Sequence, residues 1–365
     1  MIYVAAVPLQ RLVTEIFSAI GCSLAEAGRI AHYLVRANLA GHDSHGVVRV
    51  PRYVQLHRDG LIHSDRKVDV PIETPVLAQV DGKFGFGQTV APQAVEIGIA
   101  KCKQMGLSAV ALRHAGHIGR VADWAEMAAE QGLVSIHFVN AAAGVLVAPF
   151  GSVERRFSTA PYCVGVPIPG GLPVILDFAT SIVAEGKVLV ASQGGKAIPS
   201  DALISAEGQT SDDPRLLYGD YKSGERRDIR KGSGALRAFG EHKGSGLALM
   251  CELLGGALTG NGCASPERPF SNGMFSLYVD PARLDPDGLF PEEVRRYIAH
   301  VKAAKTAAPF TETLVPGEPE EHSRRTRSEK GIPLPEETLG LLLDTARSLG
   351  VDDRRIDGMP ALPVA

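Results

Sequence analysis

The sequence predicts an α/β protein that opens with a helical segment. Three observations carry that expectation. Residues 107–139 read strand, loop, helix, strand: Leu107 to Arg113, the loop His114-Ala115-Gly116-His117-Ile118-Gly119, an amphipathic run from Val121 to Gln131 stopped by Gly132, then Leu133 to Val139. A connection of that length suits neighbouring parallel strands. Residues 172–192 repeat the step, from Leu172 to Asp177 through Phe178-Ala179-Thr180-Ser181 into a helix. Ahead of both, Leu9, Leu12, Val13, Ile16, Phe17 and Ile20 recur at helical spacing.

Bulk properties narrow the class. The chain has 365 residues, 45% hydrophobic and 22% charged, enough for one large domain or two and ordinary for a soluble globular protein. A net charge of −3 offers nothing to nucleic acid or an anionic membrane. Cys22, Cys102, Cys163, Cys251 and Cys263 are scattered without a C-x-x-C, which points to reduced thiols and away from a thiolate zinc site. No basic stretch leads into an apolar run at the N-terminus. The longest apolar run, Leu247 to Thr259, is short for a membrane span and contains Glu252. The expectation is a cytoplasmic protein.

Taken in order, Gly21 closes the first helix and Ser23-Leu24-Ala25-Glu26 forms a capping box for a second. Ile30, Leu34, Val35 and Leu39 mark its buried face, and Gly41 follows as its stop. Residues 61–88 read as short strands and loops. Asp81-Gly82-Lys83-Phe84-Gly85-Phe86-Gly87 spaces its glycines G-x-x-G-x-G rather than G-x-G-x-x-G, so it reads as a turn before a helix over Pro92 to Met105, with no βαβ unit around it. Residues 205–235 are polar and read as a surface excursion. His242-Lys243-Gly244-Ser245-Gly246 opens an apolar helix, Leu247 to Leu258. Met274 to Val279 reads as a strand, Glu292 to Ala304 as an exposed helix, Pro316-Gly317-Glu318 as a turn, and Glu336 to Leu349 as a last helix closed by Gly350.

The densest chemistry lies in Gly41-His42-Asp43-Ser44-His45-Gly46-Val47-Val48-Arg49-Val50-Pro51-Arg52-Tyr53. A helix running from about Ser44 puts His45, Arg49 and Tyr53 on one face, as a proton carrier, a bidentate carboxylate clamp and a phenolic donor. Pro51 is expected to bend it. His117 falls at the carboxyl end of a strand and near a helix N-terminus, where α/β folds place ligands and where the dipole keeps an imidazole neutral. Asp177 ends a strand, and Thr180 or Ser181 is placed to cap the helix after it. Lys243 with small neighbours at a helix start makes a natural anion site.

Two chemistries fit these residues. Hydride transfer on a small carboxylate needs an acid/base, His45 or His117, a clamp, Arg49, and an anion site for a cofactor pyrophosphate, Lys243. Metal chemistry would use the H-x-x-H pairs His42/His45 and His114/His117 with Asp43, although no H-E-x-x-H occurs. A Ser–His hydrolase lacks the G-x-S-x-G elbow around Ser44. A pocket that holds a carboxylate without reacting would look the same.

Asp43-Ser44-His45-Gly46, Arg49 and Tyr53 are followed in order by His117-x-Gly119, Ala125 to Gly132, Leu176 to Ser181, Gly186-Lys187, Ile198-Pro199, His242 to Leu254 and Pro316-Gly317-Glu318. In this set of blocks the chain resembles the type-2 malate/L-lactate dehydrogenase family, also called sulfolactate dehydrogenase-like, over nearly its whole length. The resemblance implies a non-Rossmann malate/L-lactate (sulfolactate) dehydrogenase-like α/β fold with a mixed sheet, in agreement with the missing G-x-G-x-x-G. It implies an NAD(P)-dependent oxidoreductase, using NAD or NADP, that interconverts 2-hydroxy acids with their 2-oxo, or sometimes cyclic 2-imino, partners. It also implies a homodimer. By position, His45 matches the family's proton donor with Ser44 beside it, and Arg49 the ligand of the substrate carboxylate with Tyr53 beside it. His117, Ile118, Gly119 and Arg120 match a segment touching nicotinamide and substrate. Asp177, Thr180, Ser181, His242, Lys243, Gly244, Pro316, Gly317 and Glu318 match cofactor contacts, and no metal is implied. The expected organisation is a helical, substrate-side domain of residues 1–80 plus roughly 285–365, and an α/β cofactor domain of residues 81–284. The chain departs from the family pattern at Ala160, usually Asn, at Ser152, usually Gly, at Asp201 to Ser205, and at His114-Ala115-Gly116 before His117.

Overall fold

Three apolar clusters organise the chain, and the computed structural model describes residues 1–351. The first cluster is helical. Helices Ala6–Ala19 and Leu24–Leu39 bury Leu9, Val13, Ile16, Ile30 and Leu34 against each other. The capping box forms in part: Ser23 Oγ accepts the Glu26 amide at 3.3 Å. Its reciprocal half runs through Asp65, whose carboxylate accepts the Ser23 amide at 2.9 Å while its own amide donates to Glu26 at 2.6 Å. Strand Ile2–Val4 pairs antiparallel with Ile332–Leu334, and Leu342 and Ala346 of helix Glu336–Ser348 complete the same cluster. The expected C-terminal segment beyond residue 351 lies outside the described residues.

The second cluster flanks a seven-stranded sheet. Its order across the sheet is Asp69–Glu73, Leu77–Gly85, Leu107–Ala115, Asn272–Val279, Val134–Ala141, Pro161–Val166 and Val174–Ala179. Leu77–Gly85 and Leu107–Ala115 run parallel; the other neighbouring pairs are antiparallel, so the sheet is mixed. Two expectations change. The glycine-rich turn at residues 81–87 does sit in a strand–helix–strand crossover: its helix spans Gly87–Met105 and carries Pro92 inside it. Phe86 at the helix start makes no side-chain cap, so nothing in the sequence flags the earlier start. Strands Leu107–Ala115 and Val134–Ala141 are parallel but not neighbours, because Asn272–Val279 lies between them, antiparallel to both. The sheet takes in residues on both sides of residue 80, since it begins at Asp69.

The third cluster corrects the reading of residues 205–235. Short strands Thr210–Ser211, Leu203–Ile204, Ala235–Arg237 and Val147–Ala148 form a second sheet. The one-turn helix Arg215–Tyr218 turns Leu217 and Tyr218 inward against Leu203, Val188 and Leu236. Helix Glu318–Lys330 follows Gly317, where the sequence suggested only a turn; it buries no residue and so shows no apolar period. Helix His242–Cys251 starts five residues before Leu247 and continues as a π-helical stretch, Glu252–Leu258. No helix among the described residues is long and apolar enough to cross a membrane.

Candidate active site

The single helix expected from Ser44 does not form. Gly41, at φ +83°, turns the chain out of helix Leu24–Leu39. Two 3₁₀ turns follow, Asp43–His45 and Val47–Arg49, separated by an extended Gly46, and helix Val50–Arg58 then begins with Pro51 in its first turn. Proline is tolerated there, so it starts the helix rather than bending it. The cause of the break is Asn38. Its Oδ1 accepts the Val47 amide at 2.9 Å and its Nδ2 donates to Asp43 at 2.6 Å. A Cβ on residue 46 would lie 2.2 Å from that Oδ1, so only glycine passes. Arg327 clamps Asp43 from the far helix, at 2.6 and 3.0 Å.

These turns still deliver the expected side chains to one place. Ser44 Oγ meets His45 Nδ1 at 3.0 Å. The His45 ring stacks on His117 with centroids 5.5 Å apart and planes 9° apart. Tyr53 Oη meets His117 Nδ1 at 2.5 Å. Gln88 Nε2 donates to Tyr53 Oη at 3.2 Å and to the His117 carbonyl at 3.3 Å. Tyr53, accepting from Gln88, is placed to donate its own hydrogen to His117 Nδ1, an assignment that puts the His117 proton on Nε2. Burial, reinforced by Arg49, lowers His117 to about 3. Burial, then His117 and Arg49, push His45 well below the ordinary imidazole value. Burial raises Tyr53 to about 12. The site therefore holds two neutral imidazoles and a neutral phenol at pH 7.

Arg49 is more engaged than the sequence suggests. Its Nε donates to the Ser44 carbonyl at 2.7 Å and its Nη1 to Glu185 at 2.9 Å; Nη2 has no protein partner among the described residues. Glu185 in turn accepts from Tyr218 Oη at 2.6 Å. Burial works against the Arg49 charge, but Glu185 outweighs it and the guanidinium is held more firmly protonated. Glu185 and Tyr218 are the site residues that sequence reading missed. Glu185 opens helix Glu185–Ser192, and its successor Gly186 presses on the site: a Cβ there would stand 2.3 Å from Arg49 Nη2 and 2.6 Å from the Ser44 carbonyl. Gly186→Ala is therefore expected to displace Arg49 and cut kcat/KM by about tenfold or more, because small misplacements of a clamp are costly. An unchanged kcat/KM for the purified variant would show that the contact is not needed.

The remaining predicted residues gather along strand Val174–Ala179. Asp177 Oδ2 accepts the Ala122 amide at 2.8 Å, at the start of helix Ala122–Glu130, and burial raises its pKa. Ile175 donates its amide to the Pro316 carbonyl at 3.2 Å, and Gly317, at φ +100°, packs against Pro173. Ser181 bridges to Ala238, and Phe239 donates its amide to the Thr180 carbonyl at 3.0 Å, just ahead of helix His242–Cys251. Neither Thr180 nor Ser181 caps the helix after it: Thr180 Oγ1 donates to the Ala160 carbonyl at 2.9 Å and Ser181 Oγ to that of Val183 at 2.7 Å, while the helix starts later, at Glu185. Ala160 itself sits at φ +26°, a region that asparagine tolerates better than alanine. Glu318 pairs with Lys302.

The anion site at residue 243 is also partly spent. The amides of Lys243 and Gly244 already donate to the carbonyls of Gly240 and Phe239, at 3.2 and 3.0 Å. A Cβ on residue 244 would lie 2.0 Å from the Phe239 carbonyl, so that turn requires glycine. What remains for an anion is the exposed Lys243 and the helix dipole. Beside it lies a cavity of about 330 Å³ lined by Pro149, Phe150, Ser152, Arg237 and Glu241. None of Ser44, His45, Arg49, Tyr53 and His117 lines it. Ile118 is fixed by its amide on Asn272 at 2.9 Å. Arg120 is buried, with Nη2 shared between Asp123 at 2.6 Å and Glu126 at 2.9 Å, while its Nε and Nη1 have no partner among the described residues. The histidine pairs are split: His42 meets Glu320 at 3.0 Å and His114 meets Asp81 at 3.1 Å. Among the described residues no three His, Cys, Asp or Glu side chains are grouped to hold a metal.

Neutral imidazoles beside a buried guanidinium are groups that can exchange a proton and bind a carboxylate. The sequence profile of the malate/L-lactate dehydrogenase family matches residues 4–342. A hydroxycarboxylate dehydrogenase B of Escherichia coli O157:H7 is 35% identical over 358 residues, covering 95% of this chain and 94% of the relative. A Δ1-pyrroline-2-carboxylate/Δ1-piperideine-2-carboxylate reductase of Pseudomonas putida is 30% identical, over 91% and 93% of the two chains. A solved structure of a putative malate/lactate dehydrogenase from E. coli superposes with a TM-score of 0.89 at 34% identity, covering 98% of each chain. The chain belongs to the malate/L-lactate dehydrogenase family. It is an oxidoreductase of the dehydrogenase class, and that class works with a nicotinamide cofactor.

Proposed function

We propose that this dehydrogenase interconverts a small 2-hydroxy acid and its 2-oxo acid, with His45 moving the proton, Ser44 at its back, and Arg49 holding the substrate carboxylate. The observation that carries the reading is the stacked His45–His117 pair next to the free Nη2 of Arg49. His117 presents Nε2–H as a fixed donor, because Tyr53 and Gln88 set its tautomer. It is suited to hold the C2 oxygen. His45, backed by Ser44 rather than by that fixed chain, is suited to exchange the proton on the same oxygen. Arg49 offers its Nη2 to the carboxylate, since Nε is committed to Ser44 and Nη1 to Glu185.

The residues also fit a nicotinamide dinucleotide. Lys243 is exposed at the helix start that would take the pyrophosphate, Arg237, paired with Asp201 at 3.2 Å, lines the cavity beside it, and Arg120 carries two buried donors without a partner among the described residues. When bound, the cofactor gives a hydride to C2 or takes one from it. In this reading the cofactor's course runs along Val174–Ala179, with Asp177, Thr180, Ser181, His242, Gly244, Pro316, Gly317 and Glu318 as its proposed contacts. NAD and NADP both suit this course. The mostly antiparallel order of the large sheet supports a cofactor fold other than the doubly wound parallel one. In this reading the mainly helical part, up to the sheet's first strand at Asp69 and from about 285 to 351, is the substrate side. A second copy of the chain would cover Leu249, Met250 and Leu253, each more than two-fifths exposed on one helix. The enzyme is proposed to work in the cytoplasm as a homodimer.

Loss of reduced nicotinamide absorbance with a panel of 2-oxo acids and a cyclic imino acid tests the reaction. Turnover on one class supports it. Cofactor that fails to bind at all would count against it. The pH profile tests the acid/base. Oxidation of a hydroxy acid needs a neutral imidazole, and burial holds both imidazoles neutral to below the usual value of about 6.5. The acid limb of kcat/KM in that direction is therefore expected below pH 6.5. A limb at or above that value would mean that neither buried histidine is the base.

A further inference from the structure

The carboxylate of Glu185 stands on the group that must bind the substrate's carboxylate. It is built in rather than passing by. Oε2 takes Arg49 Nη1 at 2.9 Å and Oε1 takes Tyr218 Oη at 2.6 Å. Arg49 and Glu185 side chains are only 14% and 17% exposed, and Tyr218 is 1% exposed. Gly186 seats the same helix turn against Ser44, which fixes where the acid can point.

The charges around the clamp then decide what it accepts. Ser44, Tyr53 and Tyr218 are neutral, and both imidazoles are held neutral by burial. His42, behind His45, faces Glu320. Arg49 is already matched by one carboxylate before any substrate arrives. Lys187, two positions after Glu185, is exposed, and its charge reaches far enough to add to the lowering of the His45 pKa. A substrate with one carboxylate uses the free Nη2 of Arg49. A second anionic group would sit beside Glu185, and the one cation in reach that is not already paired, Lys187, is exposed and screened by solvent. We infer that Glu185 is a specificity-determining residue, which makes the pocket select acids that are uncharged beyond C2 over those carrying a second carboxylate or a sulfonate. Two like charges about 6 Å apart at an effective dielectric of about 20 change a binding constant by about a hundredfold, and partial exposure reduces that to about tenfold.

The inference rests on the proposed dehydrogenase reading, and one pair of substrates separates the two. Oxaloacetate and its C4 amide, 2-oxosuccinamate, have the same length and shape and differ by one charge. The wild-type enzyme is expected to favour the amide in kcat/KM by about tenfold or more. Glu185→Gln should shrink that preference by about tenfold, chiefly by raising the value for oxaloacetate. Tyr218→Phe, which keeps the charge but removes a donor that partly neutralises it, should instead enlarge the preference, and it decides the matter if Glu185→Gln does not fold by circular dichroism. The same ratio in wild type and in both variants overturns the inference. So does an equal gain for both substrates in Glu185→Gln, because that would mean Glu185 merely competes for Arg49. A wild type that prefers oxaloacetate also overturns it and hands the distal group to Lys187. A wild type inert toward both compounds and toward pyruvate, with NADH and with NADPH, would instead overturn the dehydrogenase reading itself.

Discussion

His45→Ala is expected to lower kcat by about 10² to 10⁴, the usual contribution of a positioned acid/base and about 3–5 kcal/mol of barrier. The imidazole has no substitute at its position. Ser44 Oγ is 3.0 Å from Nδ1 and is a far weaker base. His117 faces the same space, but its Nδ1 is bound by Tyr53 at 2.5 Å and its proton is held on Nε2. It can donate a hydrogen bond without being free to shuttle a proton. KM should change little, since His45 makes no claim on the substrate carboxylate. Single-turnover rates with a hydroxy acid separate the two effects. A wild-type rate in His45→Ala would move the proton to His117 and make the stacked partner the structural one.

Arg49→Lys is expected to raise KM for every 2-oxo acid by tenfold or more, a loss of about 1.4 kcal/mol or greater. The guanidinium serves three partners at once: Ser44 through Nε, Glu185 through Nη1, and the substrate through Nη2. An ammonium is a point charge and cannot span them. It would go to the nearest fixed acid, Glu185, and leave the Ser44 carbonyl without its donor. Steady-state kinetics with pyruvate check this, and an unchanged KM would sink the clamp.

Much of the helical layer was legible because its signals are local. The apolar period of residues 9–20 and the Ser23–Glu26 box each lie within a few turns of chain. The organising stretch was legible as chemistry but not as geometry, since the break at Gly46 is imposed by Asn38, an ordinary helix residue in the sequence. The order of the large sheet could not be read, because Asn272–Val279 enters between strands made far earlier in the chain. Glu185 and Tyr218 were missed for the same reason. They reach Arg49 from two other segments, and no spacing links them. Helix Glu318–Lys330 did leave a trace, with Pro319 in its first turn, acids at 318, 320 and 321, and Gly331 at its end, but an apolar period was the wrong signal to seek.

The pairing of Ile2–Val4 with Ile332–Leu334 has a consequence for how the molecule is made. On the ribosome, the helices Ala6–Ala19 and Leu24–Leu39 emerge well before the strand and the helix that cover them, Ile332–Leu334 and Glu336–Ser348. The apolar face of Leu9, Ile16 and Leu34 must wait through the making of the whole large sheet. Arg327, which fastens Asp43 at the head of the reactive stretch, arrives in the same late stretch of chain. The histidine and arginine proposed to do the chemistry are thus translated long before the residues that set them in order.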